Sequence, residues 1–511
     1  MRPHLGRLAA LLAVLVTGGF TPPARLQAAD PVFKAGFAER DITPAVGSEQ
    51  PGGYGKSYHR TLHDPCKVRA AVFDDGAGRV ALVGLDALAV DRRTVLAARK
   101  RIAAKTGIPG HAVLLGASHS HSSGPLYGVF PGEYDHASDL VKKLAYEHST
   151  AADPEYVRKV EDAIVEAVCA AHDGRVAAKA GVGRGHEPTV AFNRRFKMRD
   201  GRTVTHPGQG NPGIVEPAGP TDPEVGVIGA WDDKGKLLGC VVNFACHATT
   251  SPGGISANYV YYLERVIQGY YGKDVPVVFL NGASGDITQV DNQSPYRNPD
   301  PEQWAQLVGG KVGAEALKVL FSLDPGFGVL TPVGAKAEVL TFARRKPSPG
   351  RVKAAYELVQ KDPAKSDPTA WAFAKETVLL DAKLKQEPTA EAEVQAVQVG
   401  PVVFLTTPAE YFCQFGLEQK AGSGFPFTFP VSLANGCVGY VPTEEAFGPA
   451  GGGYETRLTS YSNLDITAGG KMRDAGIKLA KGFKPGPVPT RPKPAPFGRA
   501  WPYGDVRPEK E

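Results

Sequence analysis

Ala112-Val113-Leu114-Leu115-Gly116-Ala117-Ser118-His119-Ser120-His121-Ser122-Ser123-Gly124-Pro125 joins an uncharged apolar run to two histidines one residue apart. A short apolar run bounded by turn residues predicts a buried strand. In α/β proteins, ligand sites gather at the carboxyl ends of such strands. Here that end carries His119 and His121. Alternation along an extended strand places both on one side, about 6–7 Å apart along the backbone. Imidazole is the commonest protein metal ligand, and the nearby serines offer partners for a second ring nitrogen. On this motif alone, two polar residues at a strand end is an equally open reading.

Working outward, the same grammar repeats. Val80–Leu85, Leu238–Ala245 and Val275–Leu280 read as further buried strands. Helical patterns lie between them, near Arg92–Lys105, Tyr259–Tyr270 and Glu302–Leu323. Asp153-Pro154 is a helix start, with Asp as cap and Pro in the first turn, and Gly174 suits the stop. Residues 351–385 predict a charged helical hairpin on the surface, and Val394–Thr407 two strands turning at Gly400-Pro401. The fold class expected is α/β: one large mixed β-sheet layer with flanking helices.

Further histidines and carboxylates stand at strand ends. His247 follows the strand in Phe244-Ala245-Cys246-His247. Asn281-Gly282-Ala283-Ser284-Gly285-Asp286-Ile287-Thr288 follows Val275–Leu280, where Asp286 could orient a histidine or water. The plain alternative is a strand-to-loop turn with an Asx hydrogen bond. Glu410, in Pro408-Ala409-Glu410-Tyr411, reads as opening a helix, where a carboxylate merely complements the dipole. Tyr440 lies in Asn435-Gly436-Cys437-Val438-Gly439-Tyr440-Val441-Pro442-Thr443 and reads first as packing.

Taken together and in order, these motifs resemble the catalytic N-terminal domain of the neutral/alkaline ceramidases. Gly36 to Pro44 is similar to that family's opening GxxxxDIT stretch, with Gly53-Tyr54-Gly55 following. Ser118–Pro125 resembles its THTHSGP signature and Asn193-Arg194 its NR element. Ala245–Thr249, Gly285–Thr288, Pro408–Glu410 and Asn435–Thr443 resemble its second-histidine, GDVS, PGE and NxYxxYxTT segments. The resemblance implies one Zn²⁺ held by His119, His247, Glu410 and Tyr440, a mixed N/O set that suits zinc. It implies His121 as acid/base partner and Arg194 as a residue that binds substrate oxygen or orients the pocket. Gly285, Asp286 and Thr288 would form a substrate loop. The chain departs from the family at Thr288, Gln289, Val290, Cys437, Ala257 and Ala409. The implied activity is hydrolysis of an N-acyl bond, as in ceramide. The alternatives are another N-acylated lipid, sugar or peptide, or a secreted zinc-binding protein without turnover. No G-x-S-x-G elbow supports a serine hydrolase.

Bulk properties set the frame. The chain has 511 residues, 42% of them hydrophobic, and a formal charge of +5. Arg2, Arg7 and Arg25 lie before residue 30 without an acid. The remainder is near neutral and carries no electrostatic footprint for nucleic acid. The basic start, the apolar run Leu8–Val16 and the small residues Ala28 and Ala29 predict a signal peptide over 1–29, hence a secreted or periplasmic protein. The hydrolase domain is then expected over 30–484 and a Pro-rich extended tail over 485–511, with too few residues for an immunoglobulin-like domain. No later stretch reads as a transmembrane segment. A lipid amide substrate would bring peripheral contact with membrane lipid; oligomeric state is open. The six cysteines form no CxxC pair, and oxidation of some is open to an exported chain.

Overall fold

Several strands, such as Lys67–Asp74, Arg79–Leu85, Leu237–Phe244 and Val402–Thr406, are buried along nearly their whole length and need cover on both faces. The computed structural model describes residues 32–493, 503 and 506–511. The expected leader and residues 494–502, 504 and 505 of the expected tail lie outside the described residues. Val32–Glu511 forms one compact unit.

Three principal sheets form the body, rather than a single layer. The first runs in the order Val113–Ala117, Arg79–Leu85, Lys67–Asp74, Lys34–Asp41, Val176–Ala177. The second runs Val277–Asn281, Leu237–Phe244, Glu224–Trp231, Lys179–His186. The third runs Val333–Ala343, Thr389–Val399, Val402–Thr406, Phe427–Val431. Each sheet is mixed, with one parallel pair: Arg79–Leu85 beside Val113–Ala117, Leu237–Phe244 beside Val277–Asn281, and Val402–Thr406 beside Phe427–Val431. Single-sequence patterning marks strands but not how they partition, because neighbours are set by tertiary packing.

The carboxyl ends of these parallel pairs are stitched together. The Ala117 amide donates to Leu433 O at 3.1 Å, Ser432 N to Asn281 O at 3.0 Å, and Leu433 N to Ala409 O at 3.0 Å. The first two sheets approach so closely that a Cβ on Gly84 would sit 2.4 Å from Phe279 O, which only glycine avoids. Helices Arg92–Thr106 and Pro154–Asp173 cover the first sheet, and Tyr259–Tyr271 and Pro301–Leu323 cover the second. Asp153 caps its helix as expected, accepting from the Glu155 amide at 2.8 Å, a contact typically contributing about 1 kcal/mol.

The hairpin at 349–384 differs from expectation. Helix Pro349–Val359 is mostly exposed, but Pro368–Leu384 is largely buried. Trp371, Ala374, Val378 and Leu379 pack with Tyr134, Val141 and Leu144. One pair of the charges that suggested a solvated face is internal: Lys375 Nζ lies 3.1 Å from Glu376 Oε1 and donates to Ser149 Oγ at 2.8 Å. A buried ion pair of this kind is invisible to a hydropathy pattern.

The six cysteines are free. The first part of the expected tail lies along the body: Gln398 Nε2 donates to Lys484 O at 2.7 Å and Gly486 N to Gly400 O at 3.0 Å. Further on, Arg491 stacks 5.2 Å from the Phe327 ring centroid. Among the described residues no immunoglobulin-like domain follows, and no helix is long and apolar enough to cross a membrane.

Candidate metal centre

The elements that end at the stitched crevice deliver its polar side chains, the first of them two histidines. The strand Val113–Ala117 stops before the histidines, and His119 adopts a left-handed backbone with φ of 67°. Strand alternation therefore does not bring the pair together; this single left-handed residue does. For a non-glycine residue that conformation costs about 1–2 kcal/mol, and such residues cluster at functional sites. The His119 and His121 rings meet edge to face at 4.7 Å, with their Nε2 atoms 3.2 Å apart.

His247 follows Leu237–Phe244. Glu410 does not open a helix. It starts a two-residue strand, Glu410–Tyr411, parallel to Tyr440–Val441, and the helix begins at Cys413. Glu410 Oε2 lies 3.1 Å from His119 Nε2 and 3.0 Å from His247 Nε2. Tyr440 Oη is 3.5 Å from His247 Nε2, with the two rings nearly parallel. His119, His247, Glu410 and Tyr440 are all at least 94% buried. Residues spread over three hundred positions thus converge.

The donor set is the informative feature. His119 Nδ1 is 2.9 Å from Leu88 O, and His247 Nδ1 is 2.6 Å from Ser284 O. A carbonyl only accepts, so both Nδ1 atoms carry a hydrogen, and a neutral ring at either position presents its Nε2 lone pair. Those lone pairs face a carboxylate oxygen. Such acceptors in mutual contact need positive charge among them, from ring protons or from a metal ion. Zinc ligands about 2.0–2.2 Å from a tetrahedral centre are about 3.3–3.6 Å apart; the separations here, 3.0 to 3.5 Å, approach that spacing. The three imidazoles offer ligand atoms within 4.8 Å of one another and can hold a metal ion.

Electrostatics agree. Burial pushes His121 well below its ordinary value, and His119 and His247 add to the effect. Burial, then the Arg194 charge, pushes His247 down to about 4. Burial would raise Glu410, but His119 and His247 overcome it and hold the carboxyl well below the usual range. An ionised carboxylate beside His121 and His247, which resist protonation, suits a bound cation.

His121 differs from its neighbours. Among the described residues its Nδ1 has no hydrogen-bond partner, and its ring faces the cavity. Arg194 is buried and bonds on two sides: Nε with Glu455 at 2.7 Å, and one terminal nitrogen with Gly285 O at 2.8 Å and Tyr440 Oη at 3.1 Å. Gly285 N in turn donates to Tyr411 O at 2.8 Å. Asp286 accepts from Cys413 N at 2.8 Å and Asn193 Nδ2 at 2.7 Å, so its carboxylate ties two segments together. Thr288 Oγ1 bonds Gln289 at 3.1 Å.

Other participants were missed by the sequence reading. Tyr461 Oη donates to Glu410 Oε1 at 2.7 Å. Glu455, fully buried, also accepts from Thr205 Oγ1 at 2.7 Å and lies 3.6 Å from Arg195. Leu88 and Ser284 act through carbonyls, which no side-chain motif can reveal. A cavity of about 1030 Å³, open mouth included, leads from the histidines outward. Its walls include Glu376, Leu379 and Lys383 from the buried helix of the hairpin.

The class this defines is a large mixed α/β domain with a buried histidine cluster consistent with a metal-binding hydrolase site. No protein-family profile and no curated protein matches the chain. Solved structures do. The neutral ceramidase from Pseudomonas aeruginosa superposes with a TM-score of 0.64 at 18% identity, covering 90% of this chain and 77% of that one. A ceramidase complexed with C2 gives the same TM-score and identity, covering 92% and 78%. The chain thus shares its fold with a bacterial neutral ceramidase.

Proposed function

We propose that the chain is a zinc-dependent amidohydrolase of the neutral/alkaline ceramidase family, cleaving an N-acyl bond in the periplasm or outside the cell after export through its leader. The observation that carries this is the convergence of His119 Nε2, His247 Nε2 and Glu410 Oε2 within 3.0–3.1 Å in a buried crevice. The fold likeness and the ordered motifs support it independently.

His119, His247, Glu410 and Tyr440 would hold one Zn²⁺. When bound, the ion acidifies water and polarises a carbonyl. The chain's own groups supply the rest. The carbonyls of Leu88 and Ser284 fix the ring orientation of His119 and His247. His121, free at Nδ1, takes the proton released by the attacking water and delivers it to the leaving nitrogen. The water oxygen bonds to the acyl carbon, the C–N bond breaks, and an acid and an amine leave. Arg194 holds the Tyr440 hydroxyl, which stabilises negative charge on the carbonyl oxygen. Gly285 supports Arg194 through its carbonyl, and Asp286 ties the neighbouring segments together.

The test is metal content and turnover on purified protein. His119→Ala and His247→Ala should each lose stoichiometric zinc and amide hydrolysis together. A metal-free His119→Ala variant with full activity would contradict the proposal.

A further inference from the structure

The cavity outside the histidines has a composition unlike a lipid tunnel. Six tyrosines line it, Tyr54, Tyr127, Tyr134, Tyr440, Tyr454 and Tyr461, against four aliphatic side chains. Beyond the metal centre it presents Glu133, Arg344, Glu376 and Lys383. Their charges are already balanced. Lys383 Nζ is 3.0 Å from Glu133 Oε1, Lys375 Nζ is 3.1 Å from Glu376 Oε1, and an Arg344 terminal nitrogen is 3.5 Å from Glu387 Oε2. No surplus charge is left to recognise an ion.

A long alkyl chain seated here would strip water from the Glu133–Lys383 pair, whose side chains are 18% and 20% exposed, and return no hydrogen bond. A ring bearing hydroxyl groups meets the wall differently. Hydroxyls both donate and accept, so they can bridge a Lys–Glu pair without disturbing its charge balance. The apolar C–H faces of such a ring lie against aromatic side chains, which combine a flat apolar body with a polar end.

Resting on the amide-hydrolase reading above, we infer that the cavity wall of tyrosines and the Glu133–Lys383 pair binds a neutral hydroxylated ring, so that the bond cleaved is the amide of an N-acylated amino sugar and not that of ceramide. Lys383 and Glu133 are then specificity determinants, reading hydroxyls on the ring while the acyl group points to the histidines.

Two measurements on the full chain test this. The first is binding of an N-acetylhexosamine methyl glycoside, by saturation-transfer NMR on wild type and on Glu133→Gln/Lys383→Met. The second is hydrolysis by the zinc-loaded wild type of that glycoside, of short-chain ceramide and of long-chain ceramide, read as amine released. The inference expects saccharide binding weakened at least tenfold in the double variant, and kcat/KM for the glycoside at least 100-fold above either ceramide. Ceramide hydrolysis without saccharide binding would overturn the inference and leave the hydrolase reading standing. Saccharide binding lost in the double variant, with no amide hydrolysed, would support the ring site and overturn the hydrolase reading. Absence of both would overturn both. Equal binding by wild type and double variant would overturn the role of the pair.

Discussion

Glu455→Gln separates a structural carboxylate from a merely buried one. Glu455 is fully buried and meets Arg194 Nε at 2.7 Å, while Arg195 lies at 3.6 Å. The substitution keeps shape and removes charge, leaving the Arg194 guanidinium buried without its carboxylate partner. Breaking a buried pair by removing one partner costs about 3–5 kcal/mol. Unfolding entropy of about 2.1 cal/mol/K per residue gives about 1 kcal/mol/K for a chain of this size, so the melting temperature should fall by about 3–5 °C. Activity should fall further, because Arg194 also holds Tyr440 Oη at 3.1 Å. Losing an outer partner of a metal-site residue typically costs about 10–100-fold, and kcat should drop within that range. Calorimetric melting and amide turnover on the same preparation check both effects. Adding Arg194→Met should recover part of the lost stability, since the unpaired charge is then gone. A Glu455→Gln protein that melts and turns over like wild type would refute the reasoning.

Other expectations follow from single contacts. Tyr461→Phe removes the 2.7 Å hydrogen bond to Glu410 Oε1 and should weaken metal affinity about 10–100-fold, measured by chelator competition. Gly52→Ala would place a Cβ 2.3 Å from His121 Nδ1, at a φ of 100°, so it should lower kcat about 100-fold while zinc content stays stoichiometric. Burial lowers the His59 pKa below its ordinary 6.5, against a smaller upward pull from its bond to the Ser123 carbonyl. The unfolded chain therefore binds the extra proton first, and stability falls as pH drops below about 6.5. His59→Gln should flatten that slope in melting curves taken between about pH 7 and 5.

Much of the fold was legible because it rests on local signals. The Asp153-Pro154 start, the helices near 92–105 and 302–323 and the turn at Gly400-Pro401 all stand within a residue or two of their predicted places. The division into three sheets was not legible, because strand partners are chosen by tertiary contacts such as Gly84 against Phe279. His119, His121, His247, Glu410 and Tyr440 were singled out, and the structure brings them together. The route was different in part: the left-handed His119, not strand alternation, turns one imidazole toward the other. Glu410 had read as a helix-opening acid because the two-residue strand that carries it is too short for any periodicity. Glu455 and Tyr461 stayed hidden since their partners, Arg194 and Glu410, lie far off in the chain. Helix 368–384 hid its role because a buried Lys–Glu pair looks like a solvated face in sequence.

The central claim is that one divalent cation sits among the lone pairs of His119 and His247 and the Glu410 carboxylate. Anomalous X-ray diffraction at the zinc edge, on crystals of the zinc-loaded chain, tests it most directly. The account predicts one anomalous peak per chain within about 2.0–2.2 Å of both Nε2 atoms and a Glu410 oxygen. A peak at another site, or none at this cluster in a preparation that hydrolyses amides at full rate, would contradict it.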